Sequence, residues 1–427
     1  MRCLIRAFQV VPVCAATIAS AQAIFESPAL PAGAEGSACA GVNGDGAVVA
    51  GTVWGPGGPR AFVWTRGGGT SPVGVLLGGW VSFGAGVSGN GGSLSLTSGS
   101  LAGDRACRWS LGSGLVSLGT LAGKLQSNAY DASGDGGVIV GGSWSSGDQA
   151  DLRAFSWSEL GGMQGLGVLA GGSDSCALSV SADGERVTGF SGSSAGMRAY
   201  VWSAAGGMVD LGTLPGHTFS CGAEISGDGG TVVGYSGSFE GGTEVHAARW
   251  RGGDVRELGI TSGFGYSYAL ATDATGSVIG GGADHDVCGA DPRAFVWIEW
   301  MGMIDLNEYL PTVGVDLQGW TLREVTGLSD DGTVAVGNGV LDGVQRGWLV
   351  TGLTFAPPPA CPWQMDGCYS DYDNSDGIDG DDVIAFFDDW DRGLPCADLD
   401  ASGAVDGDDE ILFFGQWDAG GVGSAGC

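Results

Sequence analysis

Short apolar runs bounded by glycine turns fill most of this 427-residue chain, which is the pattern of many short β-strands. One motif recurs: an apolar strand, a Gly/Asp turn, then a valine-rich strand. It reads "GVNGDGAVVAG" from Gly41, "GVSGNGGSLSL" from Gly86, "DASGDGGVIVG" from Asp131 and "SVSADGERVTG" from Ser179. It returns as "EISGDGGTVVG" from Glu224, "ATDATGSVIGG" from Ala271 and "GLSDDGTVAVG" from Gly327. The turn glycines are Gly46, Gly91, Gly136, Gly184, Gly229, Gly276 and Gly332, spaced 45, 45, 48, 45, 47 and 56 residues apart. A second signature follows each turn: "RAFVW" ending at Trp64, "RACRW" at Trp109, "RAFSW" at Trp157, "RAYVW" at Trp202, "HAARW" at Trp250 and "RAFVW" at Trp297. The last copy decays to "RGWLV" at Val350. A fourth apolar piece comes next, as in "LVSLGTLAG", "MVDLGTLPG" and "MIDLNEYL".

Four strands in about 45 residues is the size of a propeller blade, and seven such units would close a ring. The seventh unit stops after "RGWLVTGL" without its last strand. Upstream of the first unit, "SPALPAGAEGSACAGVNGDG" runs parallel to "LGTLPGHTFSCGAEISGDG". Residues near Phe25 to Leu30 are therefore expected to complete the last blade and remove two exposed sheet edges. A β-solenoid is the main rival, and it has no need of this complementation. The expected fold is all-β, a seven-bladed β-propeller over residues 24–355. The recurring tryptophans and "RAF" aromatics are read as inter-blade core, and the "GDG" aspartates as turn-formers. Cys39, Cys176 and Cys221 occupy equivalent positions and are read as small buried residues, with a Cys176–Cys221 bond as the lesser alternative.

Composition narrows the class. Glycine contributes 85 residues without the period of three that collagen needs. The net charge is −31, and residues 361–427 alone carry −16. A surface so acidic repels phosphate, so nucleic acid is excluded as a partner. The N-terminus "MRCLIRAFQVVPVCAATIASAQA" has Arg2 and Arg6, an apolar run and an A-x-A site ending at Ala23. It reads as a signal peptide over residues 1–23, implying a secreted or cell-surface protein. The competing readings are an N-terminal strand or a membrane anchor, but the run is too short to span a bilayer and no other stretch is long enough. Removing it leaves nine of the 11 cysteines, an odd number.

The acidic C-terminus contains one pattern twice: "DYDNSDGIDGDD" from Asp371 and "DLDASGAVDGDD" from Asp398. Calcium takes six to eight oxygens, which a twelve-residue loop delivers from positions 1, 3, 5, 7, 9 and 12. The first loop offers Asp371, Asp373, Ser375, the Gly377 carbonyl, Asp379 and Asp382. The second offers Asp398, Asp400, Ser402, the Ala404 carbonyl, Asp406 (directly or through water) and Asp409. Gly403 permits the sharp turn of the second loop, whereas Asp376 stands at that position in the first. Two calcium ions are expected. Each loop precedes an apolar segment, "VIAFFDDWD" from Val383 and "EILFFGQWD" from Glu410. Ile384, Phe387 and Trp390 (with Ile411, Phe414 and Trp417) are spaced to form one helical face. The alternative is a pair of acidic turns on a disordered tail. "APPPA" places a stiff linker at residues 356–360.

Two resemblances follow from these residues. Residues 25–353 resemble the extracellular HAF repeat, carried best by Arg153-Ala154-Phe155, Arg198-Ala199-Tyr200, Arg293-Ala294-Phe295 and "GMVDLGTLPG" at Gly207; the second unit departs with Cys107. That family implies an exported repeat protein and transfers no catalytic residues. Residues 361–427 resemble a dockerin, closer to a bacterial GC-type dockerin-like anchor because the chain ends "GSAGC" and carries Cys361, Cys368, Cys396 and Cys427. Four cysteines allow three pairings. This resemblance implies an EF-hand-type loop–helix module and a cohesin-like or cell-surface anchoring partner. The three histidines, His217, His246 and His285, sit in no recognisable catalytic motif. "ADHDVCGAD", with Asp284, His285, Asp286, Cys288 and Asp291, reads as a solvated insertion before it reads as a metal site. The expected function is binding or display of a polysaccharide or protein ligand without catalysis. The alternative is a carbohydrate-active hydrolase or lyase delivered by its dockerin.

Overall fold

A computed structural model describes residues 23–100, 103–145, 151–238, 244–260, 265–284 and 292–355, with positions 383, 384, 386, 387, 390, 399, 413 and 414 of the C-terminal segment. The proposed signal peptide (apart from Ala23), the linker, both acidic loops (apart from Leu399) and the four C-terminal cysteines lie outside the described residues. Among the described residues the fold is almost wholly antiparallel β. In the first unit, strands Gly36–Val42, Val48–Trp54, Arg60–Thr65 and Gly69–Pro72 pair in chain order. The same four-strand order recurs over residues 79–119, 126–167 and 175–210. Residues 219–257 and 266–305 form two further four-stranded units, joined into one eight-stranded sheet by a parallel bridge between Val245 and Tyr266.

The last sheet contains Thr321–Leu328, Val334–Leu341 and Val344–Thr351, and it takes its fourth strand from the other end of the chain. Ile24–Glu26 pairs antiparallel with the outer strand, setting Ile24 against Thr351, Phe25 against Val350 and Glu26 against Leu349. Paired structure stops there because Pro28 has no amide hydrogen to give. Leu30 packs without pairing against the cluster around Cys39 and Phe62. Phe25 meets Trp320 edge-on at 5.5 Å, and the Ser27 hydroxyl donates to the Gly347 carbonyl at 2.8 Å.

The "GDG" turns are what their sequence dictates. Gly136 sits at φ +69°, a region closed to most L-residues. Asp135 accepts from the Gly137 amide at 2.7 Å and from the Ser133 hydroxyl at 2.9 Å. Asp183, Asp228 and Asp331 repeat this with Ser181, Ser226 and Ser329. The aromatic columns form the core: Phe62, Phe155, Tyr200, Phe295 and Trp348 are fully buried. Trp64, Trp250 and Trp297 are buried, while Trp109, Trp157 and Trp202 are half-buried. Cys39, Cys107, Cys176 and Cys221 are unbonded and buried, and burial pushes the Cys39 thiol up to about 12. Their role is packing.

Sequence reading missed the polar seam between units. Ser82, Ser127, Ser175, Ser220 and Ser267 are buried and accept from the amides of Ala61, Ala106, Ala154, Ala199 and Ala247 in the preceding unit, at 2.9–3.0 Å. Ser37 does the same for Gly347 across the junction of the chain ends, at 3.1 Å. Here the "RAF" alanine has become glycine, because a Cβ on Gly347 would lie 2.3 Å from the Cys39 sulfur. "MIDLNEYL" is only half strand. After Gly302–Asp305, Asp305 caps a helix, Leu306–Thr312, by accepting from the Asn307 amide at 2.8 Å. Leu306 and Leu310, one turn apart, are buried, and the insertion accounts for the long final repeat interval.

A circuit of backbone hydrogen bonds binds the turns. The Gly44 amide donates to Gly89, Asn90 to Gly134, Gly134 to Ala182 and Ala182 to Gly227; then Asp228 donates to Ala274, Ala274 to Asp330, and Asp330 back to Gly44. Every bond is 2.8–3.1 Å long, so the sheets stand in a closed ring. In the C-terminal segment, Phe386 and Phe413 are fully buried and stacked, with centroids 4.3 Å apart and planes 5° from parallel. Ile384 is exposed, so the buried helical face runs through Phe386 rather than through Ile384.

Closure through Ile24–Glu26 predicts the behaviour of a chain that begins at Pro28. Its thermal midpoint should fall, and the bared edge of Val344–Thr351 should make it self-associate with concentration in sedimentation velocity. An unshifted midpoint with a monomeric boundary would refute closure by this strand.

Candidate functional site

The innermost strands converge on a central channel of about 360 Å³. Each carries a β-bulge, at Cys39/Gly41, Gly84/Gly86, Ala129/Asp131, Ala177/Ser179, Gly222/Glu224, Ala269/Ala271 and Val325/Gly327. A bulge leaves one residue unpaired and re-aims its neighbours, here toward the axis. The residue ending each bulge decides the chemistry of the wall. Four units place Gly41, Gly86, Ala271 or Gly327 there, and three consecutive units place Asp131, Ser179 and Glu224. The channel therefore has one arc with acidic side chains and one without, lined by glycines with Leu270 and Thr326.

The polar arc is a relay of hydrogen bonds from unit to unit. Asp131 accepts from the Ser179 hydroxyl at 2.8 Å, the Val180 amide at 2.9 Å and its neighbour Ala132 at 2.7 Å. Ser179 in turn accepts from the Ile225 amide at 3.3 Å. Glu224 Oε2 accepts from the Thr272 amide at 3.1 Å. Both residues are half-buried and line the channel. Burial pushes Asp131 above the usual carboxylate range against the pull of its three donors. Glu224 rises further: burial comes first, the nearby Asp131 charge second, and a single amide opposes them. Tyr130, on the same arc, is raised to about 12 by burial. On the side of the turns lies a smaller space of about 90 Å³, rimmed by the turn residues of the hydrogen-bond circuit. Asp330 on that rim is raised by burial and by the charges of Asp331, Asp273 and Asp45.

The calcium candidates Asp371, Asp373, Ser375, Gly377, Asp379, Asp382, Asp398, Asp400, Ser402, Ala404, Asp406 and Asp409 all lie outside the described residues. Of "ADHDVCGAD", only the flanking Asp284 and the residues before it are described. Asp284 is buried at the end of Val278–Asp284, its carbonyl accepting from the Gly265 amide at 3.0 Å. Asp131 and Glu224 went unassigned in the sequence, although they are the only acids in a repeat column otherwise held by Gly, Ser and Ala. Two of the three histidines, His217 and His246, are brought together in the 219–257 unit and the loop leading into it. Among the described residues no helix is long and apolar enough to cross a membrane.

No family model matches this chain, and no curated protein does. Among solved structures, an oligogalacturonate lyase from Vibrio parahaemolyticus is similar at 12% identity and TM-score 0.48, covering 74% of this chain and 91% of that one. The β-propeller domain of the trilobed protease from Pyrococcus furiosus is similar at 9% identity and TM-score 0.46, covering 77% and 98%. TolB from Acinetobacter baumannii is similar at 13% identity and TM-score 0.43; the match covers 60% of this chain and 62% of that chain's length. Likeness of this degree carries neither ligand nor activity to the present channel.

The raised carboxyls contribute a pH dependence of definite sign. A carboxyl with a folded pKa above its unfolded value favours folding when protonated, so stability falls as pH rises from about 4.5 through the folded value. Glu224→Gln keeps an acceptor for Thr272 and removes the buried charge. Its thermal midpoint at pH 8 should rise by ~2 °C or more, with a flatter slope between pH 5 and 8. A midpoint lowered equally at both pH values would refute the buried-charge account.

Proposed function

We propose that this chain is an exported, seven-bladed β-propeller that binds or displays a ligand, carried by a calcium-dependent dockerin-like module that docks on a cohesin-like or cell-surface partner. The eight-stranded sheet is read as two blades, since one bridge between Val245 and Tyr266 is a contact rather than a shared sheet. The hydrogen-bond circuit, which takes one turn from each four-stranded unit, supports that count.

The stack of Phe386 on Phe413 carries the reading of the module. The two residues are 27 apart, the offset that separates Asp371 from Asp398. Phe387 and Phe414, one residue on, also face each other at 6.1 Å. Equivalent residues of two sequence copies thus meet, as expected of a duplicated loop–helix module rather than a tail of acidic turns. Calcium bound by the two acidic loops would supply the order that so small an apolar centre does not.

For the propeller, the arc of Asp131, Ser179 and Glu224 offers acceptors to a ligand that brings donors, such as the hydroxyls of a polysaccharide or a protein side chain. One observation favours the enzymatic alternative. Glu224 has one oxygen with no amide partner and an elevated pKa, the property a general acid requires.

Calcium calorimetry on the full chain tests the module. Two ions per chain are expected, falling to one with Asp398→Asn and to none with Asp371→Asn added. One ion in the parent chain would implicate Asp376 in the first loop. No saturable binding would sink the dockerin-like reading.

A further inference from the structure

The 219–257 unit departs from a pattern that the four units before it share. In those four the "RAF" arginine reaches forward to the next unit: Arg60 donates to the Pro59 and Trp80 carbonyls, Arg105 to Asp104 and Leu125, Arg153 to Leu152 and Ser173, and Arg198 to Met197 and Thr218. In "HAARW" this residue is His246, too short for that reach. A second departure lies beside it. Three residues after the leucine that ends the fourth apolar piece, other units carry Gly79, Lys124 or Gly172, and this one carries His217. The imidazole centroids are 5.3 Å apart, and Glu244 opens the strand that holds His246. Donor atoms of His217, Glu244 and His246 all lie within 4.8 Å of one another.

The surrounding hydrogen bonds fix which nitrogen of each ring is free. Ser236 has one hydroxyl proton, given to the Phe219 carbonyl at 3.0 Å, and it accepts from the Leu214 amide at 3.1 Å. His217 Nδ1, 3.2 Å from that oxygen, must therefore be the donor, which leaves Nε2 with a lone pair. His246 Nδ1 faces the Glu257 carboxylate at 2.9 Å, so it too carries the proton, and Nε2 points at Glu244 Oε1 3.5 Å away. A carboxylate behind a histidine is the support that metal-bound imidazoles use.

We propose that His217 Nε2, His246 Nε2 and the Glu244 carboxylate form a site for a divalent transition-metal ion of the zinc class, with a fourth position open to solvent or ligand. Two imidazoles and one carboxylate are a donor set that zinc accepts. Tetrahedral ligands about 2 Å from an ion stand roughly 3.3 Å apart, and the His246–Glu244 pair is already close to that. The donor atoms already lie within 4.8 Å of one another, so closing the site asks for movements of ~1.5 Å at most, which the exposed Glu244 is free to share. This site is independent of the calcium module, whose oxygen ligands suit a different ion.

The test uses the full chain, stripped with chelator and titrated with zinc against a chromogenic competitor. One zinc per chain is expected, with two imidazoles in its X-ray absorption edge. Glu257→Gln should weaken binding roughly 10- to 100-fold. His246→Arg, which restores the residue used by the other units, should keep the thermal midpoint and abolish binding. His217→Ala, in a loop, should do the same if the strand substitution unfolds the chain. The proposal is overturned if the parent chain binds no zinc, if its zinc shell lacks nitrogen, or if both histidine variants retain full affinity. In the first case His246 is simply a polar link between Glu244 and Glu257.

Discussion

Closure of the turn circuit is the constraint on which the rest of this molecule depends. No four-stranded unit buries its own faces, so each needs a neighbour on both sides, and the ring provides that only if the last unit returns to the first. The return is concrete: the Asp330 amide meets the Gly44 carbonyl, and the Gly347 amide meets Ser37. Backbones must come close for this. A Cβ on Gly44 would lie 2.4 Å from the Asp330 carboxylate, and one on Gly134 would lie 2.9 Å from the Ala182 carbonyl. Small residues at the rim are thus required by the geometry of closure, which explains part of the high glycine content.

Closure also decides where chemistry can appear. Innermost strands that converge on an axis leave little room, so the residue ending each bulge is glycine or alanine unless its side chain is hydrogen-bonded to the next unit. Asp131 and Glu224 meet that condition through the amides of Val180 and Thr272. Each therefore serves the ring as a latch and the channel as an acidic wall. Removing the charge leaves the latch in place, so the two roles are separable in principle.

Much of the fold was legible in the sequence because its determinants are local. The turn glycines, the Asp-to-amide bonds beside them, the aromatic columns and the orphan N-terminal strand are all properties of single repeat columns. What was not legible depended on register across units. The serine column lies nine residues before six of the seven turn glycines, from Ser37 to Ser267, yet a serine in a strand looks like a solvent-facing residue until the neighbouring sheet is placed. The acids at the bulges were hidden for a related reason. One extra residue re-aims the chain, and period-two alternation cannot say whether Asp131 faces the channel or the sheet behind it. In the C-terminal segment, the spacing of Ile384, Phe387 and Trp390 was real, but Phe386 carries the packing because it meets its own counterpart Phe413.

A repeat protein carries its own controls, and this matters for weighing the His217–His246 cluster. A polar contact seen once in an irregular fold has nothing to be compared with. Here the same site occurs in sister units with an arginine that ties carbonyls of adjacent sheets together, a structural task repeated from Arg60 to Arg198. Arg198 and Arg293 are also backed by a carboxylate from the fourth strand, Asp210 or Asp305, in the place of Glu257. The carboxylate behind His246 is therefore inherited from the repeat, and by itself it implies nothing new. The histidine in place of arginine, the second histidine from the preceding loop and Glu244 are the additions. The forward tie of the arginine is lost here, and in its place stand the edge contact of the two imidazoles and the bridge between Val245 and Tyr266.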